Sequence, residues 1–242
     1  MVEGTLNHAM LLEPDTVKDK FFVEPDVNRA KNEGRLKLID FYINIAYTTG
    51  IDKDIIREGE IMPQENQKEI ILKQSFFADL VQKSVVTQQA IDFASAMVDE
   101  MNRNDAAGWL LSQTDKNETH AKWSAFGYNW QGYIDSMGSD IIFDLKKVQD
   151  ANPRKLRYTI RDLRIDWQAA HYTNGAGNEN KEYYILAFDG NLDITVMHIH
   201  KEIIDQAWDE IARTMTAFKK CSFLNGWDAS YDFHSPDGFY EY

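Results

Sequence analysis

The stretch Tyr183-Tyr184-Ile185-Leu186-Ala187-Phe188-Asp189-Gly190-Asn191-Leu192-Asp193-Ile194-Thr195-Val196-Met197-His198-Ile199-His200 decides how the chain folds in its second half. Two segments rich in β-branched and aromatic residues flank Asp189-Gly190-Asn191, where Gly and Asn readily supply the positive φ of a tight turn. The spacing predicts a β-hairpin over about 183–200. Immediately after it, Ile204, Ala207, Trp208, Ile211, Met215 and Phe218 recur at helical steps, so a helix over about 203–219 is expected to cover one face of an antiparallel sheet.

Working backwards from the hairpin, the loop 173–180 is small and polar. Before it, Leu156, Tyr158 and Ile160 alternate, the phase breaks at Arg161-Asp162, and Leu163, Ile165 and Trp167 resume it. This pattern is read as one long strand with a β-bulge. The segment from Lys122 to Tyr133 is dense in aromatics and glycine. Its functional reading is a stacking surface, and its structural reading is a core corner where glycines permit close packing.

The first half reads as helical. Thr87 is a suitable N-cap for a helix over about Gln88 to Asn104, whose Ile91, Ala94, Met97, Val98 and Met101 form a stripe. A second stripe over about Gln64 to Lys83 follows Pro63, and Leu36 to Tyr47 also favours helix. The polar run from Asn102 to Asn117 is read as the boundary between helical and sheet parts. Residues 1–35 hold two Glu-Pro-Asp tripeptides around Phe21-Phe22-Val23 and read as an extended N-terminal arm. At the other end, 225–242 reads as an aromatic and acidic C-terminal arm. The expected fold is therefore α+β, with a single domain over 36–224 between two arms.

Composition narrows the function classes. Of 242 residues, 43% are hydrophobic, enough for a sizeable core, and no apolar run approaches the roughly 20 residues of a membrane span. The N-terminus lacks the pattern of a cleaved secretory leader, so a cytoplasmic location, or a viral particle assembled there, is expected. Cys221 is the single cysteine, which excludes an intrachain disulfide. A net charge of −13 disfavours binding to a phosphate backbone. The local exception, Lys146-Lys147, Arg154-Lys155, Arg157, Arg161 and Arg164, alternates with Asp144, Asp150, Asp162 and Asp166 and reads as a salt-bridged surface.

Candidate chemistry is sparse. His198 and His200 fall on one face of a strand and are the candidate metal ligands, with Glu202, His171 or His234 able to complete a site; the plainer reading is two sheet histidines, one bonded to a neighbour. Carboxylate pairs such as Glu65 with Glu69 and Asp205 with Asp209 read as solvated surface. Lys219-Lys220 beside Cys221 would favour a thiolate, yet cysteine often serves as a small buried hydrophobe. No nucleophile elbow, P-loop, dinucleotide fingerprint or zincin motif occurs, and no cofactor is expected.

Phe126-Gly127-Tyr128-Asn129-Trp130, Asn152-Pro153 through Arg157, and Asp189-Gly190-Asn191-Leu192 followed by a helix come in an order that resembles thymidylate synthase and the phage deoxycytidylate hydroxymethylases. The resemblance covers about 100 residues and implies that family's fold. The catalytic cysteine it implies would fall near Glu179, and its phosphate grip on His198, Ile199 and His200. None of these positions carries the required group.

The favoured expectation is a non-enzymatic subunit of a larger assembly, such as a viral particle, binding protein partners through Phe21, Phe22, Trp227, Tyr231, Phe233, Phe239, Tyr240 and Tyr242. The alternative is a nucleotide- or metal-binding domain or enzyme, and the third reading is an acidic DNA mimic.

Overall fold

The computed structural model describes residues 2–28, 30–49, 84–224 and 226. The fold is α+β, as expected, but its sheet is mixed, not wholly antiparallel. Two compact units divide the chain. One comprises Met1–Ser112, Leu145–Ala151 and Ala187–Thr195; the other comprises Gln113–Asp144, Asn152–Leu186 and Val196–Tyr242.

In the first unit, α1 (Val2–Leu12) leads through a 3₁₀ turn (Pro14–Thr16) and the short α2 (Val17–Lys20) to β1 (Phe21–Glu24). This stretch was expected to be irregular. It is structured because β1 pairs in parallel with β2 (Ser84–Thr87), Phe21 opposite Ser84, and because Phe21 is buried among Leu6, Ala9, Val86 and Ala94. Burying one such side chain is worth about 1.5–3 kcal/mol. The helix α3 (Asn32–Thr49) forms where its apolar spacing predicts, and its buried Tyr42 donates 2.8 Å to the buried carboxylate of Glu24.

The cap at Thr87 is present, its hydroxyl accepting from the Ala90 amide at 3.1 Å. It opens α4 (Gln88–Arg103), whose Ala94, Met97 and Met101 are fully buried. The supposed polar boundary after it is itself helical: Asn104 caps α5 (Asp105–Ser112) through the Ala107 amide, and Ala107 and Leu110 are buried. The helix expected over 64–83 lies outside the described residues, as do the aromatics from Trp227 to Tyr242.

The sheet order is β3-β4-β5-β6-β7. In the second unit β3 (Lys116–Ala125) and β4 (Tyr128–Met137) form a hairpin whose turn residues, Phe126 and Gly127, both have positive φ. Such a turn matches the twist of the strands it joins. A short turn at Gly138 leads to β5 (Ile141–Lys147).

The sequence 153–170, expected to be a bulged strand, is α6 (Pro153–Asp162) and α7 (Ile165–Ala170). Asn152 accepts from the Arg154 amide and Pro153 occupies the first helical position, a start signal that outweighs the apparent alternation. Of the alternating residues Leu156, Ile160 and Ile165 are buried, the first two one helical turn apart, while Tyr158 is 67% exposed and Leu163 68%. The phase break is a helix junction at Arg164, φ 52°.

A π-helical turn, His171–Gly175, extends α7. The hairpin β6 (Glu182–Phe188) and β7 (Ile194–Ile199) follows, then α8 (Lys201–Leu224). At the hairpin's end, within the first unit, buried Asp189 accepts from the amides of Ala151, Asn191 and Asp193, and Leu192 takes the positive φ expected of Gly190 or Asn191. Among the described residues no helix is long and apolar enough to cross a membrane.

Candidate metal centre

Three neighbouring strands of the second unit place three carboxylates in line. The β3–β4 pairs Asn117↔Ser136 and Thr119↔Ile134 bracket Glu118 and Asp135, which therefore sit across from each other. The β4–β5 pair Ser136↔Phe143, carried one residue on, sets Asp135 across from Asp144. Carboxylate oxygens of Glu118 and Asp135 lie within 4.8 Å. Glu118 has φ 47°, a left-handed conformation unusual inside a strand, and this local departure from the pleat redirects its side chain. Asp135 is 8% exposed and Asp144 1%.

Burying acids so deeply is costly unless partners hold them. Gln168 of α7 donates to Asp144 Oδ1 at 2.8 Å. One helical turn further on, Tyr172 lies on the same side of its element as Gln168 and makes a side-chain hydrogen bond with it. The ring of Tyr172 crosses directly over Gly132 of β4, where an added Cβ would come within 2.8 Å of it. Glycine at 132 is therefore a requirement of the tyrosine's position.

Burial raises the phenol pKa of Tyr172, and the negative charges of Asp144 and Asp135 add to the effect. Tyr183 of β6 is fully buried and its pKa is pushed well above the ordinary tyrosine value, first by desolvation, then by Asp144, Asp135 and Tyr172. Both causes disfavour the phenolate, so both residues remain neutral hydroxyls beside the acids. The hydroxyl of Tyr183 has no hydrogen-bond partner among the described residues.

Glu118 and Asp135 bring carboxylate oxygens close together, and such oxygens suit hard cations such as Mg²⁺ or Mn²⁺. None of these acids was singled out from the sequence as a site. The available signal was Asp144 itself, a charge at the end of the apolar run Ile141-Ile142-Phe143 with Lys146 two residues on; it was read only as one of the acids alternating with a basic stripe.

The residues that were singled out lie elsewhere. His198 contacts Glu182 and stacks on Tyr184 at 4.7 Å, and His200 meets it edge-on. Among the described residues no cluster of three metal-binding groups forms at this pair. His171 is instead part of an aromatic corner, 4.5 Å from Trp130, 5.7 Å from Trp123 and 5.6 Å from Trp208, where burial lowers its pKa. That corner absorbs the segment from Lys122 to Tyr133, with Phe126 packed 4.7 Å from Trp208. Cys221 lies on α8, partly exposed.

The sheet of this α+β protein thus lines up Glu118, Asp135 and Asp144 beside Gln168, Tyr172 and Tyr183. The chain belongs to the family described as PDDEXK-like domain of unknown function (DUF3799), whose model matches residues 1–229. Asp144-Leu145-Lys146 places an acid two residues before a lysine. No curated protein matches the chain. A solved structure, a "Putative exonuclease" from Eubacterium rectale, aligns with TM-score 0.47 and 15% identity, over 80% of this chain and 67% of that one.

Membership in this family overturns the expectation of a non-enzymatic assembly subunit or viral particle component. The alternative reading, a nucleotide- or metal-binding domain or enzyme, is the better supported, although its thymidylate-synthase-like form gives way to the PDDEXK-like family. The candidate acids become a group only once strand register is known.

Proposed function

We propose that this protein is a divalent-metal-dependent nuclease that hydrolyses phosphodiester bonds. The observation that carries the reading is the alignment of Glu118, Asp135 and Asp144 across three adjacent strands, with Lys146 two residues beyond Asp144. Alternation along β5 puts Asp144 and Lys146 on one face.

In this reading Glu118, Asp135 and Asp144 would hold the cation. A bound Mg²⁺ or Mn²⁺ would lower the pKa of a water and polarise a phosphoryl oxygen. Gln168 fixes the orientation of Asp144, so the carboxylate presents its other oxygen without rotating. The neutral hydroxyls of Tyr172 and Tyr183 remain donors beside the acids without adding charge. Hydrolysis then forms one phosphorus–oxygen bond from water, breaks the bond to the departing sugar oxygen, and delivers a proton to that oxygen.

The test is cleavage of labelled single- and double-stranded DNA and RNA with Mg²⁺ or Mn²⁺, comparing the wild type with Asp144→Asn. Metal-dependent cleavage abolished by the substitution and by EDTA is expected. A wild type inert on all four substrates, or an Asp144→Asn protein as active as the wild type, would remove the proposal.

A further inference from the structure

Two motifs that the metal centre leaves unused, the arginines of α6 and the His198/His200 pair, line one groove of about 410 Å³ in the second unit. Its volume lies within the range of small-ligand sites. Arg157 and Arg161 stand one helical turn apart, both exposed, and among the described residues neither has an ion-pair partner. The groove's own acids are otherwise engaged. Asp166 lies 3.2 Å from Arg164, and Glu210 pairs with the same guanidinium and accepts from Trp167 Nε1. Two positive charges therefore remain uncommitted, in a chain whose net charge is −13.

The groove is also lined by the apolar Ile160, Met197 and Ile203. A ligand that fits must be anionic at one end, in a geometry two guanidinium forks can grip, and flat and weakly polar at the other. His200, exposed and edge-on to His198, adds a hydrogen-bonding group at the rim.

We infer that this groove binds a nucleotide unit, its phosphate on Arg157 and Arg161 and its base against the apolar floor. The unit is either a free mononucleotide or one residue of a nucleic-acid strand, chemistry that both sources share. The inference uses none of the metal-centre residues and stands or falls apart from the nuclease reading.

The experiment measures binding in EDTA, so that no cleavage intervenes, with three probes: a fluorescent single-stranded oligonucleotide by anisotropy, and AMP and inorganic phosphate by calorimetry. The wild type is compared with Arg157→Gln/Arg161→Gln, with the charge-reversed double variant, and with Arg213→Glu, an exposed reversal on α8 outside the groove. Unchanged circular dichroism and melting temperature establish that the variants fold. The expected result is that AMP, the oligonucleotide or both bind, and that each double variant weakens binding at least tenfold while Arg213→Glu does not. Binding of AMP identifies a free-nucleotide site, and binding of the oligonucleotide alone identifies a strand track. Binding to none of the probes, equal loss in Arg213→Glu, or phosphate binding as tightly as AMP and the oligonucleotide would overturn the inference.

Discussion

Gln168 donates a hydrogen bond to Asp144, a carboxylate only 1% exposed, and so helps to fix its rotamer. Partners of this kind around metal ligands typically contribute 10–100-fold in affinity or activity. Gln168→Ala is therefore expected to reduce metal-dependent cleavage by about 10–100-fold, and to weaken Mn²⁺ binding in calorimetry, with the melting temperature little changed. Equal Mn²⁺ affinity in both proteins would mean that the hydrogen bond holds helix to sheet and does nothing for the acids. At this scale little of the site was legible in advance. A carboxylate among many carries no mark of function, and Asp135 and Glu118 acquire theirs only from being opposite one another on paired strands.

Elements were easier to read than residues wherever one periodicity dominated. The helix α4 was legible from its stripe, and its cap from Thr87 alone. Replacing Thr87 by alanine removes the acceptor for the Ala90 amide and is expected to cost about 1 kcal/mol, read as a lower urea midpoint at unchanged slope. The β6–β7 hairpin was legible too, although its positive φ falls on Leu192. Over 153–170 two periodicities competed. Leu156, Tyr158 and Ile160 fit a strand, and Leu156 with Ile160 also fit a helix; the capping Asn152-Pro153 was the deciding signal and was given too little weight. The parallel pairing of β1 with β2 joins residues about 60 positions apart, which local spacing cannot reveal.

At the scale of the whole molecule, the α+β class was readable and the activity was not, because the excess of acids was taken as a property of the surface. Part of it is concentrated where a cation would relieve it. Anything that binds the folded state alone stabilises by mass action, about 2.7 kcal/mol at a hundred times the dissociation constant. Mn²⁺ is thus expected to raise the melting temperature of the wild type and to leave that of Asp135→Asn/Asp144→Asn where it was, in scanning calorimetry at constant ionic strength. A rise of equal size in both would assign the effect to general screening of negative charge.

The backbone of Glu118 carries a further implication. A long side chain held at φ 47° is placed where glycine or asparagine would rest more easily, at a cost on the order of 1–2 kcal/mol. Selection for thermal robustness alone would drift away from glutamate at this position. In the proposed nuclease, stability and activity are set against each other at this position. Attempts to harden this protein by relieving backbone strain should pass over residue 118.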